Sequence, residues 1–284
     1  MLNTVALDDI VARIGDLPAI PKVAERVMRM VDDPHTTAHQ LQKVLDTDVA
    51  IAARILKIAN SAFYGYRGRI QSTSQAVMVL GFKTLKSIVL AASMKAIYKR
   101  FGLTEQKLWE HSVGVSIGSR IIAQETKYHD PDEAFLVGLM HDVGKVVMNN
   151  CDPMKFSLVI QMVYNKNVAA SVAEKEIFGF THKEVGSLVV KKWKLSETIG
   201  NVIYYHDNPK AIGVDPYLLK LASVVYLADR MCLKLGIGYR APKPEVDIAG
   251  DDVLSILGLS SERADILFEM TKTFYETEFQ SFSA

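Results

Sequence analysis

Ala134-Phe-Leu-Val-Gly-Leu-Met-His141-Asp142-Val-Gly144-Lys145-Val-Val-Met148 is the stretch on which the fold turns. Phe135, Leu136, Leu139, Val143, Val146 and Val147 recur at helical spacing, which predicts one amphipathic helix with most of its surface buried. A histidine beside a carboxylate is costly in such a place unless something satisfies both groups. Two arrangements do so: a structural His-Asp hydrogen bond, or a metal ion, which imidazole and carboxylate both coordinate. Neighbouring residues on a helix point about 100° apart. The two side chains can therefore approach one ion from different sides, or the Asp can bridge two.

Around this stretch lies a chain of 284 residues, 49% hydrophobic and 8% aromatic, enough to bury one large or two ordinary cores. Its formal net charge of +1 gives no global attraction to nucleic acid. Lys191, Lys192 and Lys194 form a local basic patch, read here as a solvated helix face, so nucleic acid is not an expected partner. Two cysteines, Cys151 and Cys232, make neither a disulfide framework nor a thiolate metal site, which suits a reducing cytoplasm. The N-terminus lacks a basic segment followed by an apolar run, and apolar runs such as Ser87 to Met94 are too short to span a bilayer. A cytoplasmic protein with no membrane partner is expected.

Helical periodicity dominates from end to end, and β-branched clusters with hairpin turns are absent. The reading is all-α. A short helix over about 7 to 15 leads to Leu17-Pro18-Ala-Ile20-Pro21, where Pro21 suits a first helical turn. The next helix runs to Val31 and stops at Asp32-Asp33-Pro34; Thr37 can cap the helix that follows, and Asp46-Thr47-Asp48 begins another. Ala62-Phe63-Tyr64-Gly65-Tyr66-Arg67-Gly68-Arg69 is a Gly- and aromatic-rich loop, either a ligand-holding segment or a packed connection. Helices resume over 74–80 and 84–98 around Gly81, and a polar break at Lys99 to Thr104 is the one plausible internal boundary. Residues from about 250 read as two terminal helices with polar faces.

The histidines fall in the second half. His111 shares a helix face with Leu108, Val115, Gly118 and Ile122; His206 lines a face with Ile199, Val202 and Ile203; Asp229 shares one with Leu221, Ala222, Val225 and Cys232. Thr181-His182-Lys183-Glu184 is a capping box that puts His182 in a first turn. Each of these residues alone has a plain structural reading, but four helices with His or Asp on their apolar faces make a metal site the economical account. Histidine nitrogens with carboxylate oxygens and no thiolate suit Zn, Mn, Fe or Ni better than Mg or Ca. His35, His39 and His129 lie in polar or turn-like contexts and are left out.

The order His111, His141-Asp142, Asp229 resembles the HD superfamily of metal-dependent phosphohydrolases, and Leu139-Met-His141-Asp142-Val-Gly144-Lys145 is similar to its central motif in the HD-GYP and HDOD branches. Leu17-Pro-Ala-Ile-Pro21, Val44-Leu-Asp-Thr-Asp48, Ala59-Asn-Ser-Ala-Phe-Tyr-Gly65, Ala76-Val-Met-Val-Leu-Gly81, Leu108-Trp-Glu-His-Ser112 and Thr181 to Gly186 follow in the order found in the HDOD family. The similarity covers roughly residues 13–230, with a helical half over about 13–100, an HD-like half over about 105–235 and a helical extension over 236–284.

The resemblance implies an all-helical bacterial module for signal transduction and regulation, acting through a signalling protein partner or a phosphorylated small molecule. Many HDOD proteins have lost the metal ligands; this chain retains them. By analogy with two-metal HD enzymes, one divalent ion would take His111, His141, Asp142 and Asp229, and a second would take bridging Asp142, His182 and His206, with Asp207 as a further candidate ligand. The alternative is an active phosphohydrolase on a nucleotide or cyclic nucleotide, in which Asp142 and Lys145 would be the catalytic residues. Lys145 either reaches a phosphate oxygen or is an exposed lysine at a helix end. The Gly-Tyr-Pro signature is absent, the chain reading Asn208-Pro-Lys-Ala-Ile-Gly213, so the resemblance does not extend to cyclic-di-GMP hydrolysis.

Overall fold

The computed structural model describes residues 10–12, 15, 17–66, 68–94, 97, 102–127, 130–239 and 241–283. Among them no strand occurs, and the all-α reading holds. Residues 10–12 are helical; most of the expected first helix, Arg67, residues 99–101 of the expected boundary and His129 lie outside the described residues.

The N-terminal half contains α1 (Lys22–Val31), α2 (Ala38–Leu45), α3 (Val49–Ala59) and the long α4 (Thr73–Met94). Thr37 caps α2 as expected and closes a capping box with Gln40, and within Asp46-Thr47-Asp48 it is the Asp48 carboxylate that accepts from Ile51 N at the start of α3. Helix α4 is bent at Gly81, whose φ of 76° and ψ of 170° interrupt the helix. By length and composition α4 is apolar enough to cross a membrane, but over half of its apolar window is buried inside the protein. Its neighbours α1, α2 and α3 cover it.

The second half is built on α5 (Leu103–Glu125), which packs against α6 (Pro131–Met140) and α12 (Pro216–Leu235). Between them lie α7 (Val143–Cys151), α8 (Pro153–Lys166), α9 (Ala170–Phe178), α10 (His182–Lys192) and α11 (Glu197–Tyr205). After α12 come the short α13 (Val253–Leu257) and the long α14 (Ser261–Ser283).

One expectation fails at the centre of the fold. Ala134 to Met148 is not a single helix: α6 ends at Met140, α7 begins at Val143, and His141-Asp142 is the joint. Asp142, with φ −104° and ψ 14°, leaves helical geometry. The periodicity persists because both helices bury the same kind of face, with Ala134 to Met140 buried without exception. Hydrophobic spacing reports burial, and a two-residue turn does not disturb it.

The two halves are joined by specific contacts. Asp132 accepts from Thr84 Oγ1 at 2.7 Å and is paired with Arg120, and Ser87 Oγ donates to its backbone carbonyl at 3.0 Å. Lys192 Nζ and Trp193 Nε1 donate to the carbonyls of Leu17 and Pro18, each at 2.8 Å, tying the proline-bounded segment to the end of α10. The Gly- and aromatic-rich loop is a packed connection. Phe63 meets Phe135, Phe274 and Phe282 at ring distances of 5.9–6.2 Å, and Arg120 lies over the Phe63 and Tyr64 rings. Helix α14 thereby touches α5 and α3 together.

Candidate metal centre

Close packing of helices brings the site together. Gly138 on α6 lies so near α5 that an added Cβ would stand 2.9 Å from Val115 O, and this contact sets His141 beside His111. Gly144 is tighter still: a Cβ there would run into the His182 carbonyl oxygen. Only glycine lets α10 lie against α7, and that approach carries His182 to Asp142.

At the joint between α6 and α7, the Asp142 carboxylate becomes the hub. Its Oδ2 lies 3.4 Å from His141 Nε2 and 3.8 Å from His111 Nε2; its Oδ1 lies 3.4 Å from His182 Nε2 and 3.8 Å from His206 Nε2. His111 Nε2 is 2.9 Å from Asp229 Oδ1. Two groups, His111 with His141 and Asp142, and Asp142 with His182 and His206, thus share one carboxylate, and all five residues are buried. Donor atoms on a tetrahedral ion with bonds of about 2.1 Å stand about 3.4 Å apart, and the imidazole nitrogens here stand 3.4–3.8 Å from the Asp142 oxygens.

Each imidazole is oriented from behind. Nδ1 of His141 meets Gly138 O at 2.7 Å, Nδ1 of His206 meets Ile203 O at 2.7 Å, and Nδ1 of His111 meets Ile237 O at 3.2 Å. Because a carbonyl oxygen only accepts, these Nδ1 atoms carry the proton and Nε2 turns a lone pair into the centre. His182 differs: its Nδ1 lies 2.6 Å from the fully buried carboxylate of Glu174, which also accepts from His182 N at 2.8 Å. The inward atoms His141 Nε2, His182 Nε2 and Asp142 Oδ1 are buried without a hydrogen-bond partner. Buried polar atoms left unpaired are expensive, and a cation among them removes the cost.

Charge leads to the same conclusion. Burial works to raise the Asp142 pKa, but the Lys145 ammonium and the His141 ring outweigh it and hold the carboxyl well below its usual range. Burial likewise opposes the ionised form of Asp229, and the His111 ring overcomes it. Glu174 is lowered in the same way, against its burial, by His182 and Lys145. Burial disfavours the Lys145 ammonium, yet Asp142 and Glu174 keep its pKa above normal. Asp142, Asp229 and Glu174 thus stay ionised in a buried pocket, and a cation among the imidazoles can take over the compensation that their protonated rings supply. The buried His/Asp groups can therefore bind a metal ion.

Most of the residues singled out in the sequence meet here: His111, His141, Asp142, His182 and His206 form the two groups, and Asp229 reaches them through His111. Asp207 does not join them; it is exposed and pairs with Lys183 Nζ at 2.8 Å. Lys145 sits in the first turn of α7, and its Nζ is bound to Asp142 Oδ2 at 2.6 Å with the side chain only 15% exposed. It is not an exposed lysine at a helix end. Glu174, Ile237 and Tyr239 carry no mark in the sequence. Glu174 precedes Lys175 and Glu176 and reads as part of a solvated face. The Tyr239 ring packs edge-on against His111 at 5.1 Å from a segment expected to be an appendage.

Comparison with known proteins agrees with this architecture. A crystal structure of an HDOD domain protein of unknown function from Geobacter sulfurreducens superposes with a TM-score of 0.83 at 24% identity, covering 98% of this chain and 97% of that one. A protein from Shewanella amazonensis SB2B, provisionally named a phosphohydrolase, superposes with a TM-score of 0.75 at 23% identity, covering 96% of each. Such identities establish the fold. An uncharacterized protein of Treponema pallidum (strain Nichols) is 24% identical over 201 residues, which are 69% of this chain but 38% of that longer protein. The HDOD domain family matches residues 17–209, a span that holds every member of the centre except Asp229. The chain belongs to the HDOD domain family.

Proposed function

We propose that this chain is a bacterial, cytoplasmic signal-transduction module whose retained metal centre binds a phosphorylated small molecule and, through it, governs a signalling protein partner. The observation that carries this reading is the convergence of unpartnered, buried Nε2 atoms and the Asp142 carboxylate on one point. His111, His141, Asp142 and Asp229 would hold one divalent transition ion, and Asp142, His182 and His206 a second; Mn, Fe, Zn or Ni suit such donors. With both groups filled and the imidazoles neutral as ligands, two divalent ions and Lys145 against Asp142, Asp229 and Glu174 would leave two surplus positive charges. A phosphoryl group would supply the balancing charge, and Lys145, whose Nζ lies 2.6 Å from Asp142 Oδ2, would hold one of its oxygens. Solvent reaches the centre at Asp229, whose side chain is 23% exposed.

The sharing of Asp142 between two groups favours a second reading, a phosphohydrolase acting on a nucleotide or cyclic nucleotide. Divalent ions at such a pair supply an activated water and neutralise charge on the phosphoryl group. This chain's residues would orient the ions through the Nδ1 contacts and hold the phosphoryl oxygen on Lys145.

Elemental analysis of protein purified without chelator or an affinity metal, wild type beside Asp142→Ala, tests both readings. Near-stoichiometric metal lost in the variant is the expected result, and metal in neither protein overturns the metal centre. A phosphodiesterase assay with added Mn then separates the two: turnover selects the enzyme.

A further inference from the structure

Three of the four imidazoles are oriented by backbone carbonyls, two of these by the carbonyl three residues earlier in their own chain turn. His182 alone depends on a side chain from another helix, Glu174 of α9. A carboxylate behind an imidazole fixes the ring and strengthens the opposite nitrogen as a ligand. The residues of α9 that are buried are Ala173 and Glu174, and the helix packs chiefly on α8, touching α10 at its base. The outer face of this α8–α9 hairpin is bare, with Met154, Leu158 and Val172 exposed. Phe178 packs on the core and Lys175 Nζ lies 3.7 Å from Glu184 Oε1; beside these, the bonds that Glu174 Oε2 accepts at His182 N and Nδ1, at 2.8 and 2.6 Å, are a buried polar tie between α9 and the body of the protein.

We propose that Glu174 is a positioning residue for His182, and that through it the filling of the His182 group orders the α8–α9 hairpin. The inference rests on the metal reading given above. Linkage makes the coupling reciprocal: whatever factor the Glu174–His182 bond adds to ion affinity, ion binding adds to the closure of α9 on the core. The effect is confined to one group, because His111 and His141 are oriented without Glu174. Ligand state at the centre is thereby carried to a surface element about which a partner can know.

The test is Mn binding in the presence of inorganic phosphate, together with amide hydrogen exchange over 170–178, for wild type, Glu174→Gln and Glu174→Ala. Wild type is expected to take up two ions and to exchange more slowly over 170–178 when loaded. Glu174→Ala is expected to lose about 10–100-fold in affinity at one group only, and its hairpin exchange becomes insensitive to Mn. Glu174→Gln keeps the size and a carbonyl acceptor, falls between the two, and carries the comparison if the alanine variant does not fold. Wild-type affinity at both groups in the variants, equal loss at both, or Mn-slowed exchange persisting in Glu174→Ala overturns the proposal while leaving the metal centre standing. Absence of Mn binding in the wild type overturns the metal reading and the proposal together.

Discussion

At the scale of single residues, the centre is a set of groups whose protonation is set by their neighbours, and this gives the metal-free protein a defined pH profile. Burial and the neighbouring His141 ring push His206 down from 6.5 to about 3. The unfolded chain therefore takes up a proton near pH 6.5 that the folded chain refuses until pH 3, so stability drains as pH falls through that window. Asp142, Asp229 and Glu174, all lowered, act in the same sense further down: their contribution is present above the usual carboxylate range and is lost as pH falls through their folded values. His141 acts oppositely. Although burial lowers it, Asp142 and Asp229 raise its pKa above 6.5, so its contribution is full below 6.5 and lost as pH rises through the folded value. The melting temperature of chelator-treated protein should peak near neutrality and fall on both sides. A His206→Asn variant should show a shallower slope between pH 6.5 and 4, and an unchanged slope there would refute the assignment.

At the scale of helices, capping chemistry was legible and interruption was not. Thr181 and Glu184 form the reciprocal box their spacing predicts, and Ser196 accepts from Ile199 N at the start of α11. Such caps are local, so four residues suffice to recognise them. The break at His141-Asp142 carries no such local mark, and next to it the structure shows close packing between helices, with Gly144 against the His182 carbonyl. Gly144→Ala is expected to cost about 3 kcal/mol, at the upper end for overpacking, because backbone rather than a flexible side chain must move. Gly200→Ala, within α11 and with a Cβ that would meet Val190 at an ordinary 3.4 Å, is the control and should leave stability unchanged or raise it by up to about 1 kcal/mol. Urea unfolding of the two variants beside wild type decides it; equal stability of both would show that α7 and α10 can part without cost.

At the scale of the whole molecule, the C-terminal residues are structural partners of both halves. Segment 236–239 supplies the carbonyl and the ring that hold His111, and α14 closes an aromatic cluster with Phe63 of the N-terminal half and Phe135 of α6. Phe282, only 4% exposed although two residues from the end of the chain, should cost about 3 kcal/mol when replaced by alanine. Thermal unfolding followed by tryptophan emission measures this, Trp193 being tied to Pro18 across the two halves. A melting temperature unchanged by Phe282→Ala would mean that α14 is dispensable to that junction.

By itself the sequence determined that this chain is all-helical, which of its faces are buried, where many helices start, and that His111, His141, Asp142, His182, His206 and Asp229 belong together. Periodicity and caps are local properties, and the motif order is written along the chain. Tertiary structure decided what no local pattern encodes. It turned Asp207 outward to Lys183 and Lys145 inward to Asp142, placed Glu174 behind His182, and made segment 236–239 part of the site. Those outcomes depend on which surfaces meet, and that is settled by close helix packing at Gly138 and Gly144 and by the need of buried charges for partners.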